Sequence, residues 1–240
     1  MLAQAARRAV RLGACLLAGL LLAPSPAFPG NPVPPPTRIL FVGNSYLYTN
    51  DLPARVRQLA GRSGTALDTR LRAEPDYALA DHLRERAFLE ALAQPWDWVV
   101  LQQGPSSLPT SRDELMASTR AIAARLAGRP TRIALFSAWP AAQRIGASRE
   151  GEASYRLAAE AIGACVLPVA AAWRLAGDDR NMPALYQADR LHPTRAGTRL
   201  TALVVVRGLL GAGNGDKANL AMDRIVADAY AQEPLACKPE

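Results

Sequence analysis

From residue 38 onward, short apolar runs alternate with stretches in which apolar residues recur at helical spacing. The first run, Arg38-Ile39-Leu40-Phe41-Val42, stops at Gly43-Asn44-Ser45. Similar runs fall at 66–71, 98–101, 132–136 and 165–169 and read as strands. Helices are predicted between them at 51–62, 78–93, 111–127 and 150–163, and after them at 194–211 and 217–231. Strands alternating with helices imply right-handed crossovers and a parallel sheet covered on both faces. The second run differs, because Asp68, Arg70 and Arg72 alternate with less polar neighbours, as on an edge strand. Neither an internal repeat nor a second domain is visible.

Ligands of such sheets bind at the carboxyl ends of the strands. Ser45 follows the first strand, Gln102 and Gln103 follow the third, and Trp139 follows the fourth. These segments are expected to converge at one edge. Trp139 is a candidate wall of a substrate cleft, with Asn44 beside the serine as a second lining residue.

The ends of the chain read differently. Arg7, Arg8 and Arg11 precede a 12-residue apolar run from Leu12 to Ala23, and Ser25-Pro26-Ala27 offers a small-residue cleavage site. Residues 1–27 thus read as a secretory signal. The run is short for a membrane span, which takes about 20 residues. Export to the periplasm or outside the cell is expected. The alternatives are an anchor through residues 12–23 or lipid attachment at Cys15. Residues 28–37 form a proline-rich linker, 38–232 the domain and 233–240 a C-terminal tail.

The 240 residues, half of them hydrophobic, suit one domain with a sizeable core. The net charge is +7, but three of the arginines lie in the signal and the other charges are scattered. That argues against a nucleic-acid surface, and no stable membrane insertion is expected once the signal is removed. Two cysteines then remain, Cys165 and Cys237. An exported compartment permits their disulfide, while Cys165 at the head of a strand also reads as a buried thiol. Only two histidines are present, His82 and His192, far apart. No metal-ligand spacing results, and neither a metal nor a cofactor is expected.

Asp189-Arg190-Leu191-His192-Pro193 puts a carboxylate and a histidine three residues apart. In a turn, that spacing lets the carboxylate hold imidazole Nδ1 and leaves Nε2 for a serine hydroxyl. Ser45, Asp189 and His192 are therefore the candidate nucleophile, orienting acid and general base. The Gly-x-Ser-x-Gly elbow is absent, since Leu47 stands two residues after Ser45. His82, on an amphipathic stretch, reads as a packed or capping residue.

Gly43-Asn44-Ser45 resembles the first block of the SGNH (GDSL-type) hydrolases, with Asn in place of Asp. The segment from Val99 through Leu101-Gln102-Gln103-Gly104-Pro105-Ser106 resembles the third block. Asp189-x-x-His192, within Leu185 to Thr198, resembles the last. The similarity covers about residue 38 to 211. It implies a three-layer α/β/α sandwich of flavodoxin-like type, with a mainly parallel sheet of about five strands. It also implies ester hydrolysis through an acyl-enzyme without a cofactor, the Ser45 N–H being one oxyanion donor. The glycine of the second block would fall near Pro75-Asp76-Tyr77, where none stands, and the asparagine of the third is missing. The side-chain amide of Gln102 or Gln103 is expected instead, Gln102 being favoured because it sits where the strand ends. Ser106 and the Gly104 N–H are further candidates. The expected substrate is a small-molecule or carbohydrate ester, such as an acetylated sugar or a short acyl ester. Acyl transfer to a sugar hydroxyl, or binding without catalysis, are the alternatives.

Overall fold

The computed structural model describes residues 34–211 and 220–238. The signal, most of the linker and the start of the last predicted helix lie outside the described residues. Five parallel strands form one sheet: β1 (Thr37–Gly43), β2 (Leu67–Ala73), β3 (Trp98–Leu101), β4 (Arg132–Phe136) and β5 (Cys165–Leu167), in the order β2-β1-β3-β4-β5. Nine α-helices are described: α1 (Ser45–Tyr48), α2 (Leu52–Arg62), α3 (Leu79–His82), α4 (Arg86–Leu92), α5 (Pro109–Leu126), α6 (Ser148–Glu160), α7 (Val169–Gly177), α8 (Arg195–Leu210) and α9 (Leu220–Gln232). A 3₁₀ turn spans Ala142–Ala147. No described helix is long and apolar enough to cross a membrane.

The strand pattern fixes the layers. Successive side chains of a strand point to opposite faces, so Ile39 and Phe41 join one apolar cluster and Leu40 and Val42 the other. All four are fully buried, as a sheet covered on both faces requires. The chain moves one way from β1 to β2 and the other way from β2 through β5. Right-handed crossovers then put α2 on one face and α4 to α6 on the other. Residues of α7, α8 and α9 complete the α2 face. The sheet is thus the middle of three layers.

Three boundaries differ from the sequence reading. The helix expected at 78–93 is broken after His82, whose ring is tied to the end of β1 at Gly43. The run at 165–169 divides at Pro168, which caps α7. That helix escaped the reading because residues 169 to 173 are all buried, leaving no polar stripe to reveal the period. Residues set aside as a tail belong to the domain. Leu235 and Cys237 exchange backbone hydrogen bonds with Val166, and Cys237 is disulfide-bonded to Cys165. Residue 237 is thereby held alongside β5.

Strand order reverses between β1 and β3, and a crevice at that point is where open α/β sheets bind ligands. Gly43 pairs with Ala73, and Val42 with Leu101. The segments after β1, β2 and β3 therefore start level with one another.

Candidate active site

The segment after β1 turns at once into α1. Asn44 caps that helix, accepting the Tyr46 N–H on its side chain. Its own N–H donates to Gln102 Oε1 at 3.0 Å, and its Nδ2 donates to the Tyr77 carbonyl at 3.1 Å. One residue thus ties the ends of β1 and β3 to the segment after β2. Gly43 is required here, because a Cβ would lie 2.2 Å from Gln102 Oε1 and 2.8 Å from Leu47 Cδ1. Ser45 occupies the first helical position, so its N–H has no intrahelical acceptor, and its hydroxyl is only partly covered.

The histidine arrives on a tight loop. Gln187 donates its N–H to the His192 carbonyl at 2.8 Å, and Thr194 donates to Leu185 at 2.7 Å. Arg190 takes φ 60° to close the turn. Asp189 Oδ1 accepts the N–H groups of Leu191 and His192 at 2.9 and 3.0 Å, and its Oδ2 lies 2.7 Å from His192 Nδ1. His192 Nε2 lies 2.9 Å from Ser45 Oγ, across 147 residues of chain. A carboxylate partner at Nδ1 makes that nitrogen the N–H donor. Nε2 then carries the lone pair and accepts the serine proton.

No family model matches the chain, and no curated protein does. Solved structures do. A protein from Slackia heliotrinireducens, provisionally named an SGNH hydrolase, is 27% identical, with a TM-score of 0.61 over 72% of this chain and 98% of its own. The acetylxylan esterase Axe2 from Geobacillus stearothermophilus, at 18% identity, gives 0.58 over 71% and 93% of the two chains. The psychrotrophic esterase EstA from Pseudoalteromonas sp., at 15% identity, gives 0.52 over 70% and 94%. The chain resembles the SGNH hydrolases in sequence and in fold. Its sheet is that of the SGNH fold.

The site's charge is arranged around Asp189. The Leu191 N–H, then the imidazole, then the His192 N–H hold its carboxyl down at about 2. Asp189 is therefore ionised wherever the enzyme would be assayed, although its side chain is 46% exposed. The partial exposure of His192, at 29%, leaves a path for a substrate.

The two glutamines are not free to act as oxyanion donors. Gln102 is fully buried, gives its Oε1 to the Asn44 N–H, and donates its Nε2 to the Gln103 carbonyl at 2.7 Å. Gln103 accepts the Leu79 N–H and donates to Ser106 Oγ and to the Ser111 carbonyl. Gln102 thus ties the end of β3 to the end of β1, and Gln103 ties it to Leu79 of α3 and Ser111 of α5. Asn44 is 8% exposed and hydrogen-bonded at both ends of its amide, so it shapes the turn that carries Ser45 instead of lining a cleft.

Trp139 is also corrected. It is fully buried, stacked between Tyr46 at 4.5 Å and Trp173 at 3.8 Å. It cannot wall an open cleft, because its indole fills the space beneath the histidine loop. Its Nε1 donates to the Leu191 carbonyl at 3.1 Å. Tyr186 donates its hydroxyl to Pro140 from the other side. Gly197 lets α8 approach this column, since a Cβ would meet Trp173 at 2.8 Å. The column that supports His192 was missed in the sequence, where Tyr46, Trp139 and Trp173 are 34 or more positions apart along the chain.

His82 is packed, as expected, and does a specific task. Its Nε2–H donates to the Gly43 carbonyl at 2.7 Å, and burial lowers its affinity for a proton. It thus braces the strand end that carries Ser45.

Proposed function

We propose that this protein is an exported serine esterase that cleaves short acyl esters through a covalent acyl-enzyme. Ser45 Oγ attacks the ester carbonyl carbon while His192 Nε2 takes its proton. The carbon–oxygen bond to the alcohol then breaks, and the imidazolium hands that proton to the departing alkoxide. Water, activated by the same nitrogen, splits the acyl-serine and releases the acid. Asp189 holds the ring in one tautomer and stabilises its charged form. The observation that supports these roles is the continuous hydrogen-bond path from Ser45 Oγ through His192 to Asp189.

With both glutamine amides occupied, the oxyanion is assigned to backbone donors. The Ser45 N–H is one. The second is the Asp76 N–H, on the segment that Asn44 Nδ2 fastens beside the serine. Asp76 takes φ 59°, the left-handed region that glycine adopts without cost. The backbone turn that a glycine would supply is therefore retained without one.

Export is supported by the Cys165–Cys237 disulfide, a bond that persists in oxidising compartments. Rapid quenching of p-nitrophenyl acetate turnover, followed by peptide mapping, tests the mechanism. Acetylation at Ser45 is expected in the wild type. Turnover is expected to fall by a factor on the order of a thousand in Ser45→Ala. Undiminished turnover in that variant would overturn the proposal.

A further inference from the structure

A groove of about 540 Å³ opens between the N-terminal ends of α2 and α8, with Asn50, Asp51, Arg55, Gln58, Arg195 and Thr198 in its lining. In a parallel sheet the helices begin where the strands finish, so the groove shares the edge that carries Ser45 and His192. Its wall is tied to the histidine loop. Asn50 Nδ2 donates to the Pro193 carbonyl at 2.8 Å and to Thr198 Oγ1 at 2.9 Å. Pro193 follows His192 directly, so the groove abuts the imidazole side of the site. Asn50 and Asp51 both take positive φ, 58° and 51°, to place that amide where it reaches the loop.

The lining carries two cations against one anion. Asp51 already accepts the Ala54 N–H as the cap of α2. Arg55 touches Gln58, and among the described residues neither Arg55 nor Arg195 is paired with a carboxylate. Further arginines extend the field. Arg199 is made easier to deprotonate by burial and then by the nearby charges of Arg55 and Arg62, with Asp223 opposing. Such a concentration of one sign next to a reacting centre selects ligands of the other sign.

The reaction geometry says which half of an ester would lie there. His192 Nε2 must deliver its proton to the leaving oxygen, so the alcohol portion departs past the imidazole. The acyl oxygen faces the Ser45 N–H instead. The groove is on the alcohol side.

We infer that this groove binds a carboxylate carried by the alcohol portion, so that the substrate class is a short acyl ester of an acidic sugar or a similar carboxylate-bearing alcohol. The inference rests on the esterase reading above and names the substrate for the same site.

The test is a matched pair of monoacetylated methyl glycosides, one of glucuronic acid and one of glucose, which differ only in carboxylate against hydroxymethyl. Wild type is expected to favour the acidic ester in kcat/KM by about tenfold. In Arg55→Gln/Arg195→Gln the ratio falls towards one, chiefly through KM, and added salt lowers it in the wild type too. A wild-type ratio of one, or a ratio that the double variant leaves unmoved, would overturn the inference. A second arm does not depend on turnover. Ser45→Ala is titrated with methyl glucuronoside and followed by NMR. Saturable shifts that vanish when both arginines are also replaced support the groove, and absence of saturable binding refutes it. If wild type cleaves neither ester, the esterase reading fails by itself and this arm alone decides the groove.

Discussion

Gln102→Met separates two roles that one residue type could play. As a strut, Gln102 accepts the buried Asn44 N–H and donates to the Gln103 carbonyl. Methionine keeps the volume and removes both bonds. The Gln103 carbonyl retains the Tyr155 hydroxyl at 2.8 Å, so only the Asn44 N–H is orphaned. One unsatisfied buried donor costs about 1–3 kcal/mol. At roughly 2–4 °C per kcal/mol for a domain of this size, the melting temperature should fall by about 2–12 °C. An oxyanion donor behaves differently, since its loss costs a factor on the order of a hundred or more in kcat and need not disturb folding. Calorimetry and steady-state kinetics on the same sample distinguish the two. The strut role predicts the thermal shift, with kcat per folded molecule within about tenfold of wild type. A hundredfold loss of kcat at an unchanged melting temperature would refute it and return the amide to the oxyanion hole.

Cys237→Ser should lower stability by up to about 4 kcal/mol, the chain-entropy value for a bridge across 72 residues. Its specific activity should be retained, because Cys165 opens β5 at the edge opposite Ser45; chemical denaturation and initial rates check both. Asp189, depressed from 3.8 to about 2, contributes stability above its unfolded value that is lost as pH falls towards 2. Activity lost on mild acidification therefore belongs to another group, and Asp189→Asn should lose a factor on the order of 10³–10⁴ in kcat without a new titration near pH 4. His82 has a folded value below 6.5, so the unfolded chain binds protons first and stability falls as pH drops beneath 6.5. His82→Gln should flatten that slope in melting temperature measured against pH; an unchanged slope would assign it elsewhere.

The fold was legible because buried parallel strands leave short apolar runs that helices separate. Gly43-Asn44-Ser45 and Asp189-x-x-His192 were legible because each unit is local in sequence, fixed by a single turn. What escaped was assembled from distant pieces or hidden by burial. Gln102 and Gln103 follow a strand at the right edge, yet whether an amide faces solvent or a buried N–H depends on Asn44 and Leu79, more than 20 residues away. Trp139 follows β4 at the same edge, but the space above it is filled by Tyr46 from α1 and Trp173 from α7. The turn at Asp76 was set aside for want of a glycine, although the backbone there adopts φ 59° with an aspartate.

Nucleophilicity at Ser45 that depends on His192 is tested most directly with a fluorophosphonate probe, read by intact mass and peptide mapping. The account predicts one covalent adduct, on Ser45, in the wild type. It predicts none in Ser45→Ala, and labelling slowed by a factor on the order of a thousand in folded His192→Ala. Labelling of another residue, or undiminished labelling of folded His192→Ala, would contradict it.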